Sequence, residues 1–456
     1  MNVIRQSNPD VIRFLGGHQQ KKSYYNYRFN KYCVFVDLDD RTKIIYNTLT
    51  GSIVQLRQNE LDNVFSEYQC DCNDNLLWNY FIVREDFDED AVIDAYRERN
   101  RKFLGANYLE SPSSFVIMTT SDCNARCPYC YELSKKDKKH MTKETAEQVA
   151  KYIIDNASKF DKTDIQFFGG EPLYNYEAID TIVGKVRGAG FETSITMISN
   201  GYLFNDKMVD IAVKDWDIRN VQITLDGPEE YYNKTKRYIY KDDPNPFKTV
   251  IKNIHNLTRN GIAVTIRLNC GIHNAEGLKQ LIEYLGGEFM NDNLISIYVW
   301  EIFQLNTPQN SDRLWAAMKS VNKLINDFNM QLKEPDLPMG IKTGHCMVDS
   351  GNTVFINELG EIGLCEHYID SLTIGNINNP KERNWDVIKS WTDYVDSNTE
   401  ICKSCSLRAI CLKMHKCTDE NICDNYARDY QIDKVQRNLI SFVKTNQQQA
   451  CKYGCN

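Results

Sequence analysis

Residues 119–132 read TTSDCNARCPYCYE, placing Cys123, Cys127 and Cys130 in a C-x3-C-x2-C arrangement directly after the apolar run Phe115–Thr120. Three thiolates at this spacing ligate three irons of a four-iron cubane and leave the fourth iron without a protein ligand. A structural zinc site is the alternative, but it ordinarily takes four ligands, drawn from pairs of cysteines or histidines.

Outward from this loop the sequence alternates strand and helix signals. Apolar or β-branched runs lie at Phe115–Thr120, Ile165–Phe168, Ser194–Ser199, Val221–Leu225, Ala263–Asn269 and Ile295–Ile302. Amphipathic helical patterns separate most of them. In TKETAEQVAKYII, for example, Ala146, Val149, Ala150 and Ile153 recur at helical spacing behind Thr142 as N-cap. Strands interleaved with helices imply a parallel sheet with right-handed crossovers. An open, partial β/α barrel and a flat doubly wound sheet both fit, and either binds ligands at the C-terminal ends of its strands.

The flanks differ. YCVFVDL, KIIYN and SIVQL read as strands separated by turns, and QNELDNVFSEY and DEDAVIDAYRERNRKF as helices. LGANYLESPSS reads as a linker, and SDRLWAAMKSVNKLINDFNMQL as a long helix. The residues beyond it read as cysteine-rich and irregular. The expected domains are an N-terminal α+β domain over 1–103, the β/α domain over 113–335 and a cysteine-rich domain over 340–456.

Composition narrows the function. The chain has 456 residues, more than one domain ordinarily holds, and 42% of them are hydrophobic. A formal net charge of -8 argues against a broad nucleic-acid surface. No run approaches the roughly 18 apolar residues of a membrane span, and the N-terminus lacks a secretory signal. The protein is expected to be cytoplasmic. In a reducing compartment, sixteen cysteines bunched as three within 123–130 and seven within 346–423 indicate metal or iron–sulfur ligation. Cys33, Cys70, Cys72 and Cys270 fall in no pattern and read as structural.

With these residues in place, the chain resembles the radical S-adenosylmethionine superfamily. The resemblance implies a partial (β/α)6 TIM-like barrel, with an open iron that binds S-adenosylmethionine and cleaves it to a deoxyadenosyl radical. The second strand ends in FFGGEPL; Gly169, Gly170 and Glu171 then correspond to the segment that binds the cofactor's amino group. Ser199 and Asn200, after the third strand, correspond to groups near the ribose. Thr224 and Asp226 open a signature usually followed by His and then Arg. Tyr232 stands at the His position, and Lys236-Arg237 straddles the Arg position, from which Arg237 is taken as a cofactor contact. Tyr129 matches an aromatic beside the adenine. Arg267, on the fifth strand, points into the barrel as a cofactor contact or pairs at its rim.

The downstream cysteines resemble the SPASM domain of peptide and protein maturases, which carries two auxiliary clusters. The resemblance assigns Cys402, Cys405, Cys411 and Cys423 to one cluster. It assigns Cys346, Cys365 and Cys417 to the other, with His415 the alternative to Cys417. Gly360 matches a turn glycine before Cys365. A further family cysteine is replaced by Gly340, which leaves the second cluster without a fourth protein ligand. Zinc ribbons are the rival reading of this array.

Taken together, these resemblances imply a maturase of a ribosomally made peptide. It would use S-adenosylmethionine and three iron–sulfur clusters and take its electron from a flavodoxin or ferredoxin. A precursor peptide would bind by its leader to a winged-helix-like residues 1–103, by strand addition. The expected product is a thioether from a substrate cysteine, with a carbon–carbon crosslink or an epimerisation as alternatives. A sulfatase-maturase activity, forming formylglycine, is the nearest rival; there Glu366 would stand where an aspartate acts as catalytic base. A non-catalytic electron carrier is the rival of another class.

Overall fold

The computed structural model describes residues 1–19, 26–64, 72–130, 132, 137–290, 292–302, 307, 309–328, 330, 336–343, 346–366, 373–392, 399–411 and 423–452. Cys70, His415, Cys417 and Cys455 lie outside them. The chain divides into two compact units. Residues 1–103, 334–346 and 394–456 form the first, and 104–333 and 347–393 the second. The cysteine-rich segment 340–456 is thus shared between the two units. None of the described helices is long and apolar enough to cross a membrane.

In the first unit, β1 (Asn2–Arg5), β3 (Cys33–Asp39), β4 (Thr42–Asn47) and β5 (Ile53–Arg57) form an antiparallel sheet in the order β1-β5-β4-β3. The β3–β4 turn is set by Asp39, whose Oδ1 accepts from the Arg41 amide at 2.9 Å. A separate ribbon pairs β2 (Tyr27–Phe29) with β6 (Ile82–Arg84). Alternation gives the larger sheet two apolar faces. One carries Cys33, Ile45, Val54 and Leu56 against Leu76, Leu77 and Phe81. The other carries Val34, Val36, Ile44 and Tyr46 against Leu407, Ile410, Leu439 and Val443.

Leu439 and Val443 belong to a helix, Asn425–Lys452, where the sequence reads as irregular. Leu439 and Val443 are buried, with Ile432 and Val435 partly so, at spacings of a helical face. Frequent polar residues and the adjacent cysteines mask that period in the sequence.

The second unit has β7 (Ser114–Met118), β8 (Thr163–Phe168), β9 (Thr193–Ser199), β10 (Asn220–Leu225), β11 (Ala263–Cys270) and β12 (Ile295–Glu301). Each pairs in parallel with the next, so spatial order follows chain order without reversal. That excludes the doubly wound alternative, whose strand order reverses at a switch point. The sheet stays open: β13 (Thr353–Ile356) takes the other edge of β7, and β14 (Glu361–Gly363) and β15 (Thr373–Asn376) continue it antiparallel.

Helices join the parallel strands as the periodicity predicts. Thr142 caps Lys143–Asn156, its hydroxyl accepting from the Thr145 amide at 3.1 Å. Right-handed crossovers between strands that advance in one direction place the helices on one face. On that face Ile165, Phe167, Ile195, Val221, Ile223, Ile266 and Ile297 are buried. The opposite, open face carries Gln222, Thr224, Arg267, Ser296 and Tyr298, all half-buried. A polar open face is a place for a ligand, and the strand ends above it carry the cysteine loop.

Candidate active site at the cysteine loop

The loop after β7 is fastened on both sides by backbone. On one side, Gly170 and Glu171 donate their amides to the carbonyls of Thr120 and Asp122, at 3.0 and 2.9 Å. Both glycines are required by this approach. Gly169 has φ +133°, and a Cβ there would sit 2.8 Å from Met118 Cγ; a Cβ at Gly170 would overlap the Asp122 carbonyl. On the other side, Arg126 donates to the Lys236 carbonyl (2.8 Å) and Ile239 to that of Asn124 (2.9 Å). Arg237, left-handed at φ +51°, ends the helix Glu229–Lys236 and turns the chain between these two contacts.

The three thiols face one another closely enough to interact electrostatically. Burial pushes the Cys123 thiol up to about 12, with the Glu171 carboxylate adding to the rise. Burial also raises Cys127, against the pull of the Lys236 ammonium. The metal-free loop therefore holds thiols, and ligation has to displace their protons. Among the described residues no three His, Cys, Asp or Glu side chains are gathered to hold a single metal ion. A zinc ion needs its sulfurs at about 2.3 Å from one centre. Three half-buried thiols on one loop fit the donor chemistry of a cubane that takes one thiolate per iron.

Glu171 is wholly buried. Its carboxylate accepts from Ser199 Oγ (2.9 Å), the Asn200 amide (2.8 Å) and the Leu173 amide (3.2 Å). Burial dominates all the same and pushes its pKa up to about 7. Ser199 is thereby committed to Glu171, and its Oγ also accepts from the Gly201 amide at 3.0 Å. Asn200 faces the cysteine loop: its Nδ2 donates to Asn124 Oδ1 at 2.6 Å and reaches Cys123 Sγ at 3.7 Å.

A second buried network lies beside Cys127. Lys236 Nζ pairs with Asp226 Oδ2 at 2.9 Å and donates to Thr224 Oγ1 (3.0 Å) and the Tyr129 hydroxyl (3.1 Å). Tyr129 donates in turn to Asp226, whose Oδ1 accepts from Asn269 at 2.9 Å. Burial opposes the ammonium charge, but Asp226 and Tyr129 overcome it and hold Lys236 well above its ordinary pKa. The structure separates the Lys236-Arg237 pair. Lys236 is the buried cation, whereas Arg237 is exposed and donates to the Lys234 carbonyl at 3.3 Å. Helical phase decides between the two neighbours, and the sequence shows it only once the end of the helix is known. Tyr232, at the expected His position, is buried with its hydroxyl 2.9 Å from that of Tyr238. Arg267 lies on the open face, its Nε donating to Asn269 Oδ1 at 2.8 Å. Asn124 and Asn269 join these networks without any motif to announce them.

In the first unit, Cys402, Cys405 and Cys423 are close enough to interact, and burial raises the Cys405 thiol. Cys411 follows the turn Arg408–Ile410 of the same unit, and Cys346 is exposed. Arg97, from the helix Glu89–Asn107, ties this region together by donating to the carbonyls of Arg408 (2.7 Å) and Lys342 (3.3 Å). Arg408 itself pairs with Asp90 and Asp94 at 2.5 and 2.7 Å. Gly340 has φ +121°, and a Cβ there would press on the Leu49 carbonyl at 3.0 Å and Val11 Cγ2 at 3.2 Å. In the second unit, Gly360 (φ +77°) forms the β13–β14 turn ahead of Cys365. Glu366 Oε2 lies 3.8 Å from Cys365 Sγ.

Comparison with known proteins bears on this geometry. An uncharacterized protein of Methanocaldococcus jannaschii is 29% identical over 283 residues, 60% of this chain and 92% of the relative. The radical SAM cyclopropyl synthase TigE of Paramaledivibacter caminithermalis is 24% identical, over 51% of this chain and 54% of its own length. Two solved structures share the fold. One is native anSMEcpe with bound AdoMet and Kp18Cys peptide (TM-score 0.56, 16% identity, 73% of this chain and 100% of that one). The other is Streptococcus suis SuiB bound to precursor peptide SuiA (TM-score 0.51, 14% identity, 88% of this chain and 100% of that one). The sequence model of the radical SAM superfamily matches residues 117–285, a span that runs from the end of β7 through the cysteine loop to the helix after β11. The chain therefore carries a radical SAM domain over residues 117–285 and is an enzyme.

Proposed function

We propose that the chain modifies a ribosomally made peptide by radical chemistry, joining a substrate cysteine sulfur to carbon in a thioether. Cys123, Cys127 and Cys130 would hold the four-iron cluster that, once reduced by a flavodoxin or ferredoxin, supplies a 5′-deoxyadenosyl radical from S-adenosylmethionine. The observation that carries this reading is the locking of the Gly169–Glu171 turn onto the cysteine loop.

The chain's own residues have distinct tasks. Glu171, stripped of solvent, is an acceptor for the cofactor's ammonium, and Ser199 and Asn200 fix its orientation. Lys236, with its three donors taken by Asp226, Thr224 and Tyr129, holds the elements beside Cys127 in place. Tyr129 and Thr224 border the same pocket through their bonds to Lys236. Residues 113–335 act as the partial barrel, with the polar open face receiving the peptide. Residues 1–103 select its leader, and residues 340–456 carry two auxiliary clusters in the manner of a SPASM domain. Gly340 offers no side-chain ligand, which would leave one auxiliary cluster an iron for the substrate thiolate.

Formylglycine formation is the second reading, favoured by the carboxylate of Glu366 beside Cys365. One experiment separates the two. The reconstituted, reduced chain is incubated with S-adenosylmethionine and a cysteine-containing peptide, and the product is examined by mass spectrometry. Loss of two hydrogens with a blocked thiol supports the thioether. Loss of the sulfur with an aldehyde in its place supports formylglycine.

A further inference from the structure

The open face of the parallel sheet is uneven in chemistry. At the C-terminal ends of β7 and β8 it is apolar, where Val116, Met118 and Phe168 pack with Phe355 and Met347. Along β10, β11 and β12 it is polar. Thr224, Arg267 and Tyr298 are cross-strand neighbours in one row, and Asn269 and Trp300 are neighbours in the row above. From the Gln222–Thr265–Ser296 row upward, two charged side chains among the described residues of these strands and their ends share this face. Asp226 is neutralised by Lys236. Arg267 has no carboxylate partner among the described residues.

Arg267 is nevertheless held in a fixed pose. Its Nε donates to Asn269 Oδ1 at 2.8 Å, and its guanidinium carbon stands 5.8 Å from the centre of the Trp300 ring. Tyr298 is its cross-strand neighbour and donates to Gln222 Oε1 at 2.8 Å. Asn269 carries the chain of contacts onward through Asp226 and Lys236 to Tyr129, inside the cysteine loop. A half-buried guanidinium within cation–π range of an aromatic and fixed at Nε is pre-organised to receive a planar anion on its outer nitrogens. One unneutralised cation matches one negative charge. A nucleoside polyphosphate, with several, would require more cations than this face offers.

We propose that Arg267, Asn269, Tyr298 and Trp300 form a substrate subsite that receives a single carboxylate, the side chain of an aspartate or glutamate in the peptide. This rests on the reading of the chain as a peptide-modifying enzyme. It moves Arg267 from the cofactor to the substrate. The subsite selects peptides with an acidic residue close to the carbon that loses hydrogen.

The test uses the full chain and two probes, the blocked peptides Ac-Leu-Ala-Glu-Ala-NH2 and Ac-Leu-Ala-Gln-Ala-NH2. Binding is read by saturation-transfer NMR at low and high salt. The wild-type chain is expected to favour the Glu probe at least about tenfold, which is about 1.4 kcal/mol, with the preference shrinking in salt. Arg267→Met should erase the preference, Arg267→Lys should retain part of it, and Trp300→Leu should weaken it with the charge still in place. Equal binding of the two probes by the wild-type chain overturns the proposal, whatever the variants do. So does a Glu preference that survives in Arg267→Met, or a loss of S-adenosylmethionine binding in that variant with the preference intact. Should Arg267→Met fail to fold, Arg267→Lys and Trp300→Leu decide the matter. Because binding is read without turnover, a failure here is distinct from a failure of radical chemistry, which would show as absent 5′-deoxyadenosine.

Discussion

Lys236 Nζ stands 2.9 Å from Asp226 Oδ2, and both side chains are sealed from solvent. The pair joins the last turn of the helix Glu229–Lys236 to the C-terminal end of β10, and Tyr129 reaches into it from the cysteine loop. Removing one partner strands the other charge in the interior, at a cost of about 3–5 kcal/mol. Lys236→Met should therefore lower stability by that order in denaturant titration. The double variant Lys236→Met/Asp226→Leu should recover a large part of the loss, since neither charge is left. A double variant as unstable as the sum of the singles would show that the two do not act as a pair.

The contact of Gly170 with Asp122 makes a second prediction. A methyl group at Gly170 overlaps the Asp122 carbonyl and must drive the two loops apart. Gly170→Ala should reduce the iron and sulfide retained per chain after reconstitution. Gly184→Ala is the control, because that helical glycine has open space where a Cβ would go. It should leave iron content unchanged and add up to about 1 kcal/mol of stability through helix propensity.

Glu171 gives the folded chain a pH dependence of definite sign. Its pKa rises on folding from 4.5 to about 7, so between these values the folded chain holds a proton that the unfolded chain has shed. Stability is then fully present below about pH 4.5 and falls as pH rises through about 7, by roughly 3 kcal/mol in all. Denaturation of the metal-free chain across that range, compared with Glu171→Gln, checks this. The Gln variant should lack the fall; an identical profile in both would place the effect elsewhere.

How much of this was legible in the sequence varies with the kind of contact. The six strands of the parallel sheet fall within two residues of the apolar runs, because period-two burial against helices leaves a direct imprint. The cysteine triplet and the GGE turn are equally plain, being local motifs. The choice of Lys236 over Arg237 was not, since it depends on where a helix ends and on one left-handed residue. Nor could the sequence show that Ser199 serves Glu171, or that Asn269 links Arg267 to Asp226; these are long-range hydrogen bonds. The final helix was hidden by its own polarity. The division of residues 340–456 between two units was hidden because contacts such as Arg97 with the Arg408 carbonyl join segments far apart in the chain.

Arg97 supplies a further prediction. Its buried guanidinium ties the carbonyl of Lys342, which precedes Cys346, to that of Arg408, which lies between Cys405 and Cys411. Arg97→Leu leaves those carbonyls short of a donor and should destabilise the first unit by about 2–3 kcal/mol. It should also lower the iron bound by the C-terminal cysteines while sparing that at Cys123, Cys127 and Cys130. Iron counted in a Cys123→Ala/Cys127→Ala/Cys130→Ala background, with and without the Arg97 change, measures the effect.

The central claim is that the cysteine loop, locked by Gly169–Glu171, makes a radical from S-adenosylmethionine. Its most direct test is to reconstitute the full chain without oxygen, reduce it with dithionite, add S-adenosylmethionine and quantify 5′-deoxyadenosine by chromatography. The account predicts 5′-deoxyadenosine and methionine in equal amounts, abolished when Cys123, Cys127 and Cys130 are replaced by alanine. No 5′-deoxyadenosine from a chain whose iron content shows intact clusters, or equal amounts from the triple variant, would contradict it.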